Sequence, residues 1–176
     1  MKTLFLAAAM AVATPTKANI MSDPTVEILQ KWLETDEGVR SKPYKCSANK
    51  WTIGIGHNFE DKPLTVEQQV RYFNRHPMDA EDIRELFEDD IAEVLTQLRR
   101  FDWFKALTPV RQAALANMAF QMGVEGLFKF VTTLTYVQQG DFERAASNML
   151  NSKWARQTPA RARRVAQAIQ SGEVPV

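Results

Sequence analysis

Thr108-Pro-Val-Arg-Gln-Ala-Ala-Leu-Ala-Asn-Met-Ala-Phe-Gln-Met-Gly123 is the stretch that decides the fold. Thr108 offers a side-chain oxygen to the first free amides of a helix, and Pro109 fits the first turn, where a missing N–H costs nothing. From Ala113 to Met122 the residues are apolar nearly all the way round. A helix of that kind has no face for water and belongs at the centre of a helical body. Gly123 supplies the stop.

Working outward, shorter helices are expected around 125–130, 133–139, 141–151 and 159–170. Upstream, Asp79-Ala-Glu-Asp82 reads as a helix start. Ile83, Leu86, Phe87, Ile91, Val94, Leu95 and Leu98 then recur at helical spacing, as in a long helix able to link two lobes. Residues 58–78 are polar, carry two prolines and have room for one short helix. Earlier still, Lys42-Pro43-Tyr44 and Trp51-Thr-Ile-Gly-Ile-Gly56 flank the polar turn Ser47-Ala-Asn-Lys50, the pattern of a β-hairpin. Asp23-Pro24 opens a helix with Val26, Ile28, Leu29, Trp32 and Leu33 on its apolar side, closing near Asp36-Glu37-Gly38. The fold expected is α+β and mostly α: a lobe over 21–78 with the hairpin, a connecting helix over 79–101, and an all-α lobe over 102–176. A cleft between two lobes is a usual place for a site.

The chain has 176 residues, a formal net charge of +1 and 45% hydrophobic content, enough for one domain or two small lobes sharing a helix. Its single cysteine, Cys46, excludes an internal disulfide. His57 and His76 are far apart and lack the companions of a zinc site. Charge is uneven. Residues 23–100 carry 11 basic and 16 acidic side chains, and residues 101–176 carry 9 and 5. Lys153, Arg156, Arg161, Arg163 and Arg164 lie in a stretch without an acid, which suits an anionic polymer or simply a solvated helix face. No nucleic-acid-binding motif is present, so no nucleic-acid partner is expected.

Residues 1–20 stand apart. The apolar run Thr3 to Ala13 is shorter than the ~20 residues that span a bilayer. It fits the core of a signal peptide, with small residues at cleavage positions in Ala11 and Ala13 or Thr16 and Ala18. An uncleaved anchor, or an upstream extension before Met21, are the alternatives. The export reading implies transient contact with a membrane or export machinery and a periplasmic destination.

Glycoside hydrolysis needs an acid for the leaving oxygen and a partner for the attacking water. Glu37, ending an apolar helix beside a glycine, is a candidate acid; alone it reads equally as a solvated helix-end carboxylate. Its context is more specific. Glu37-Gly-Val-Arg40, Tyr44 and Trp51-Thr-Ile-Gly-Ile-Gly-His57 resemble the active-site signature of phage-type lysozymes (endolysins), glycoside hydrolase family 24. Arg111 to Gly123 resembles the family's central helix, and Ser152 to Arg164 its carboxy-terminal motif. The resemblance runs from about Val26 to Gly172 in three blocks in register.

The resemblance implies a lysozyme-like two-lobed fold, a peptidoglycan substrate and no cofactor. It implies that Glu37 is the general acid and that Cys46 and Thr52 position or activate a water on the opposite face of the sugar, with inversion and no glycosyl-enzyme. The family has aspartate or cysteine at position 46. A thiol of pKa about 8.5 is a weak base at neutral pH unless a cation such as Lys45 or Lys50 favours the thiolate. Cys46 is therefore a base or nucleophile, a hydrogen-bond partner of the water that Thr52 orients, or a small apolar side chain. Arg161 holds the position that faces the catalytic glutamate. His57 and Asp90 match an ion pair tying the hairpin to the long helix, a stability role. Phe120, Gln121, Thr133 and Asn148, with Asn58 less firmly, fall on sugar-contact positions; Phe120 and Phe130 equally suit core packing. Residues 58–78 depart most from the family pattern and are shorter there. The activity implied is cleavage of the β-1,4 bond between N-acetylmuramic acid and N-acetylglucosamine by a monomer, for host lysis. A silent wall-binding module and a lytic transglycosylase are the rivals.

Overall fold

The computed structural model describes residues 16–46, 49–74 and 77–175. Most of the expected leader, the hairpin-turn residues 47 and 48, and His76 lie outside the described residues. The elements run α1 (Lys17–Met21), α2 (Pro24–Glu37), β1 (Arg40–Lys45), β2 (Trp51–Gly54), β3 (His57–Asn58), α3 (Val66–Asn74), α4 (Ala80–Leu98), α5 (Asp102–Lys105), α6 (Pro109–Met122), α7 (Val124–Phe128), α8 (Val131–Gln138), α9 (Phe142–Leu150), α10 (Lys153–Gln157) and α11 (Pro159–Ser171). The class is α+β and mostly α, with one small antiparallel sheet among the described residues.

The central helix is where its composition places it. Every residue of α6 from Gln112 to Ala119 is buried, and the helix packs against α2, α4, α7 and α11. Full burial of a side chain such as Leu115 or Met118 contributes about 2 kcal/mol each. The Thr108 side chain accepts the Arg111 amide, as its capping role requires. Asp23 and Asp79 do the same for α2 and α4, accepting from the amides of Thr25 and Asp82. Helix α4 touches α1, β2, β3, α6 and α7, so it joins the sheet to the helical body.

The hairpin forms as expected and gains a strand. Strand β2 pairs antiparallel with β1 and also with β3, in the order β1-β2-β3. Two residues are too few to show alternation in a sequence, so β3 was not anticipated. The short helices α5 and α10 fall below helical periodicity for the same reason.

The amino-terminal side also differs from expectation. Residues 17–20, set aside with the leader, fold as α1 on α4. Ile20 is 2% exposed, and Lys17 donates to Asp89 Oδ1 at 2.6 Å. Among the described residues, no helix is long and apolar enough to cross a membrane.

Candidate active site

Glu37 is the last residue of α2, because Gly38 at φ +69° turns the chain out of the helix. A left-handed backbone of this kind is cheap only for glycine. A second glycine makes room for the side chain. Gly56, also at positive φ, lies so close that a methyl group there would stand 2.9 Å from Glu37 Cγ and 3.1 Å from Oε2. Glu37 thus rests on the backbone of the turn between β2 and β3. From α11, Arg161 Nη2 donates to Glu37 Oε1 at 2.6 Å. Oε2 accepts no bond from a described residue and is the oxygen left for a ligand.

Arg161 is 6% exposed, so its charge needs buried partners. Its Nε lies 2.8 Å from Asp36 Oδ2. Asp36 also accepts from Asn117 Nδ2 at 2.9 Å and from Arg164. Burial works to raise the Asp36 carboxyl, but hydrogen bonds from Arg164 and Asn117 and the charge of Arg161 outweigh it and hold it below its ordinary value. This cluster locks the end of α2 to α6 and α11. Sequence reasoning placed Arg161 here but missed Asp36, Asn117 and Arg164. Arg161 and Arg164 share a helix face at i, i+3 in an acid-free stretch, beside a buried helix and an Asp-Glu pair; that conjunction was the available signal.

Opposite Glu37 stands one face of the sheet. Tyr44 pairs with Thr52, and Thr52 with Asn58, so the three side chains share a face. Cys46, two residues beyond Tyr44, stays in line because its amide donates to the Lys50 carbonyl at 3.0 Å. Thr52 is buried and donates to the same carbonyl at 3.1 Å. Cys46 is half-buried. The Tyr44 phenol is pushed up first by burial and then by the negative charges of Glu37 and Cys46, against the lowering pull of Arg40. Glu37 and Cys46 are therefore electrostatic neighbours of one phenol.

A cleft of about 390 Å³ runs from Gly56 between α4 and the end of α6, with Asn58, Phe120 and Gln121 on its walls. Phe120 packs edge-on against Phe87, centroids 5.9 Å apart. Gln121 Oε1 accepts from Trp154 Nε1 at 2.7 Å, and Trp154 stands edge-on to Phe130. Beyond Phe130 a second depression includes Asn148. Thr133 is 1% exposed, and its hydroxyl donates to Asn148 Oδ1 at 2.8 Å. It lies behind Asn148. The Asn58 side chain is occupied locally, accepting from the amides of Glu60 and Asp61 and donating to Asp61 Oδ2. His57 Nδ1 lies 2.8 Å from Asp90 Oδ2, joining β3 to α4, and Lys62 donates to Asp90 Oδ1 at 2.6 Å. Among the described residues, no group of three or more His, Cys, Asp or Glu is arranged to hold a metal ion.

A family model described as phage lysozyme matches residues 34–169, a span that holds every group just described. The chain belongs to the phage lysozyme family. It is 35% identical over 162 residues to the pre-baseplate central spike protein Gp5 of Enterobacteria phage T4, covering 83% of this chain and 28% of that protein. It is 29% identical over 163 residues to a probable T4-type lysozyme 1 of Dictyostelium discoideum, 84% of this chain and 96% of that one. An endolysin of Acyrthosiphon pisum secondary endosymbiont phage 1 is 29% identical over 122 residues, 68% and 72% of the two chains. The chain thus spans little more than a quarter of the spike protein and nearly all of the slime-mould lysozyme. Phage lysozymes are cell-wall hydrolases with peptidoglycan as substrate, and this chain carries that family's fold.

Proposed function

We propose that the protein hydrolyses the β-1,4 bond between N-acetylmuramic acid and N-acetylglucosamine in bacterial peptidoglycan, with inversion. The observation that carries this reading is the placement of Glu37: one oxygen held by Arg161, the other free, against a glycine and across from the Tyr44–Cys46–Thr52 face. Glu37 protonates the leaving oxygen. Water attacks the anomeric carbon from the opposite side, oriented by Thr52 and giving its proton to Cys46. The Arg161–Asp36–Arg164 cluster fixes the acid's geometry without touching substrate. Phe120 and Gln121 line the sugar path on the cleft wall, and Asn148, backed by Thr133, extends it. Asn58 contributes through the turn it shapes. The protein acts as a monomer without a cofactor, and nucleic acid is not a partner.

Host lysis is the role the endolysin relative suggests, with the apolar amino-terminal segment directing the chain to the periplasm. A second reading is favoured by one finding. The relative at 35% identity is named a central spike protein, so a structural or wall-binding role is the rival. Mass spectrometry of soluble fragments from purified peptidoglycan separates the readings. Hydrolysis gives reducing ends, a lytic transglycosylase gives anhydro ends lighter by one water, and a binding module gives no fragments.

A further inference from the structure

One side chain behind the cleft has no task in the reaction proposed above. Trp154 lies in α10, a helix of only 5 residues, and is 8% exposed. Its segment is pinned from both sides. Ser152 Oγ accepts the Ala155 amide at 3.1 Å, and the Thr158 hydroxyl donates to the Trp154 carbonyl at 3.1 Å. An indole N–H can only donate, and a buried one needs an acceptor. It finds Gln121 Oε1 at 2.7 Å. That bond decides which end of the Gln121 amide is left for the cleft, since the oxygen is turned to Trp154. Gln121 is exposed and lines the cleft of about 390 Å³. Among the described residues its Nε2 has no hydrogen-bond partner. This side chain therefore offers the cleft two N–H donors and no acceptor.

We infer that Trp154 is a positioning residue for substrate binding, acting through Gln121 to present amide N–H groups to the acetamido carbonyl of a bound sugar. The inference rests on the hydrolase reading. Both sugars of that substrate carry an acetamido group, whose carbonyl oxygen only accepts. An untethered glutamine could turn either end of its amide to the cleft, and an oxygen facing that carbonyl would repel it. Fixing the amide removes the wrong orientation before the sugar arrives. Phe120, on the same wall, gives the acetamido methyl an apolar surface. Trp154 also stands edge-on to Phe130, with centroids 6.1 Å apart, and Phe130 borders the second depression with Asn148. One buried indole thus backs both parts of the sugar path.

The test is Trp154→Phe, which removes the indole N–H and keeps an aromatic ring, in the wild-type and Gln121→Ala backgrounds. On peptidoglycan, KM is expected to rise about fivefold in Trp154→Phe with kcat within about twofold, the worth of one neutral hydrogen bond. In Gln121→Ala the same change raises KM less than about 1.5-fold, because the group it positions is gone. An equal rise in both backgrounds, or a loss carried by kcat, overturns the inference. A second arm identifies the sugar group. Peptidoglycan stripped of its acetyl groups should bind the wild type about fivefold more weakly than the intact polymer. Gln121→Ala should lose most of that preference, while the ammonium groups left on the sugars act on both proteins alike. A preference that Gln121→Ala keeps in full contradicts the acetamido contact. Both arms are repeated as cosedimentation in a Glu37→Gln background, which binds without cutting. If the wild type releases no fragments while these binding differences hold, the hydrolase reading fails and the Trp154–Gln121 arrangement stands. If Trp154→Phe fails to fold, nitrogen-15 NMR of the 4 tryptophan indoles replaces it. One indole N–H signal should move upfield in Gln121→Ala, and signals that all stay in place contradict the bond.

Discussion

Glu37 and Gly56 are in such close approach that the glycine's missing side chain is the space the acid occupies, 2.9 Å from a would-be Cβ to Glu37 Cγ. Two constraints meet at Gly56, since its φ of +72° also disfavours any side chain. Gly56→Ala is therefore expected to destabilise the fold by about 1–2 kcal/mol from backbone strain alone. It should also displace the Glu37 carboxyl. Thermal unfolding and fragment release should both fall, with activity lost at temperatures where the variant is still folded. Normal turnover by folded Gly56→Ala would show that the Glu37 position tolerates displacement.

The Asp36 cluster predicts a pH effect with a definite sign. Asp36 titrates below its ordinary value of 3.8 in the folded chain. A depressed carboxylate contributes stability that is complete above the unfolded value and is lost as pH falls through the folded one. Asp36→Asn should lose about 3–5 kcal/mol near neutrality, because Arg164 keeps its charge without a counter-ion and Arg161 is left with Glu37 alone. Its acid limb below about pH 4 should also be flatter than the wild type's. Urea midpoints measured from pH 2 to pH 7 check both; parallel curves would remove Asp36 as the titrating group.

Thr133 offers a test of which residues meet the sugar. Its buried hydroxyl is committed to Asn148. Thr133→Val should cost about 1 kcal/mol of stability and raise KM by loosening Asn148, with kcat within about twofold. A large kcat loss without a stability change would put the Thr133 hydroxyl on the substrate itself.

How much of this was legible follows from length and locality. The central helix α6 could be read because eight of the ten positions from Ala113 to Met122 are apolar, and its cap, proline and glycine agree with that pattern. The end of α2 could be read because Gly38 acts at one residue. The Asp36 cluster was hidden: its partners lie 81 and 128 residues away, and a lone helix-end aspartate looks solvated. The burial of Thr133 and the local bonds of Asn58 were hidden for the same reason, since spacing along a helix or turn does not show what packs against it. Residues 17–20 were misjudged at their edge. The leader reading drew its boundary after residue 20, just before Met21, while the structure groups Ile20 with α4.

That grouping is itself testable. Ile20→Ala should lower stability by about 2–4 kcal/mol, as for other fully buried aliphatic residues. Lys17→Ala, which breaks only an exposed ion pair, should cost less than about 1 kcal/mol. Equal and negligible effects would mean that α1 does not contribute to the folded body in solution.

The most direct test of the central claim is turnover of purified peptidoglycan by the wild-type chain and by Glu37→Gln, read as new reducing ends per enzyme. The glutamine keeps an oxygen for Arg161 but carries no acid proton. The account predicts reducing-end fragments from the wild type. In the folded variant it predicts a rate lower by at least the hundred- to ten-thousand-fold that general acid catalysis is worth, in order of magnitude. Equal rates in the two proteins, or no release by either, would contradict it.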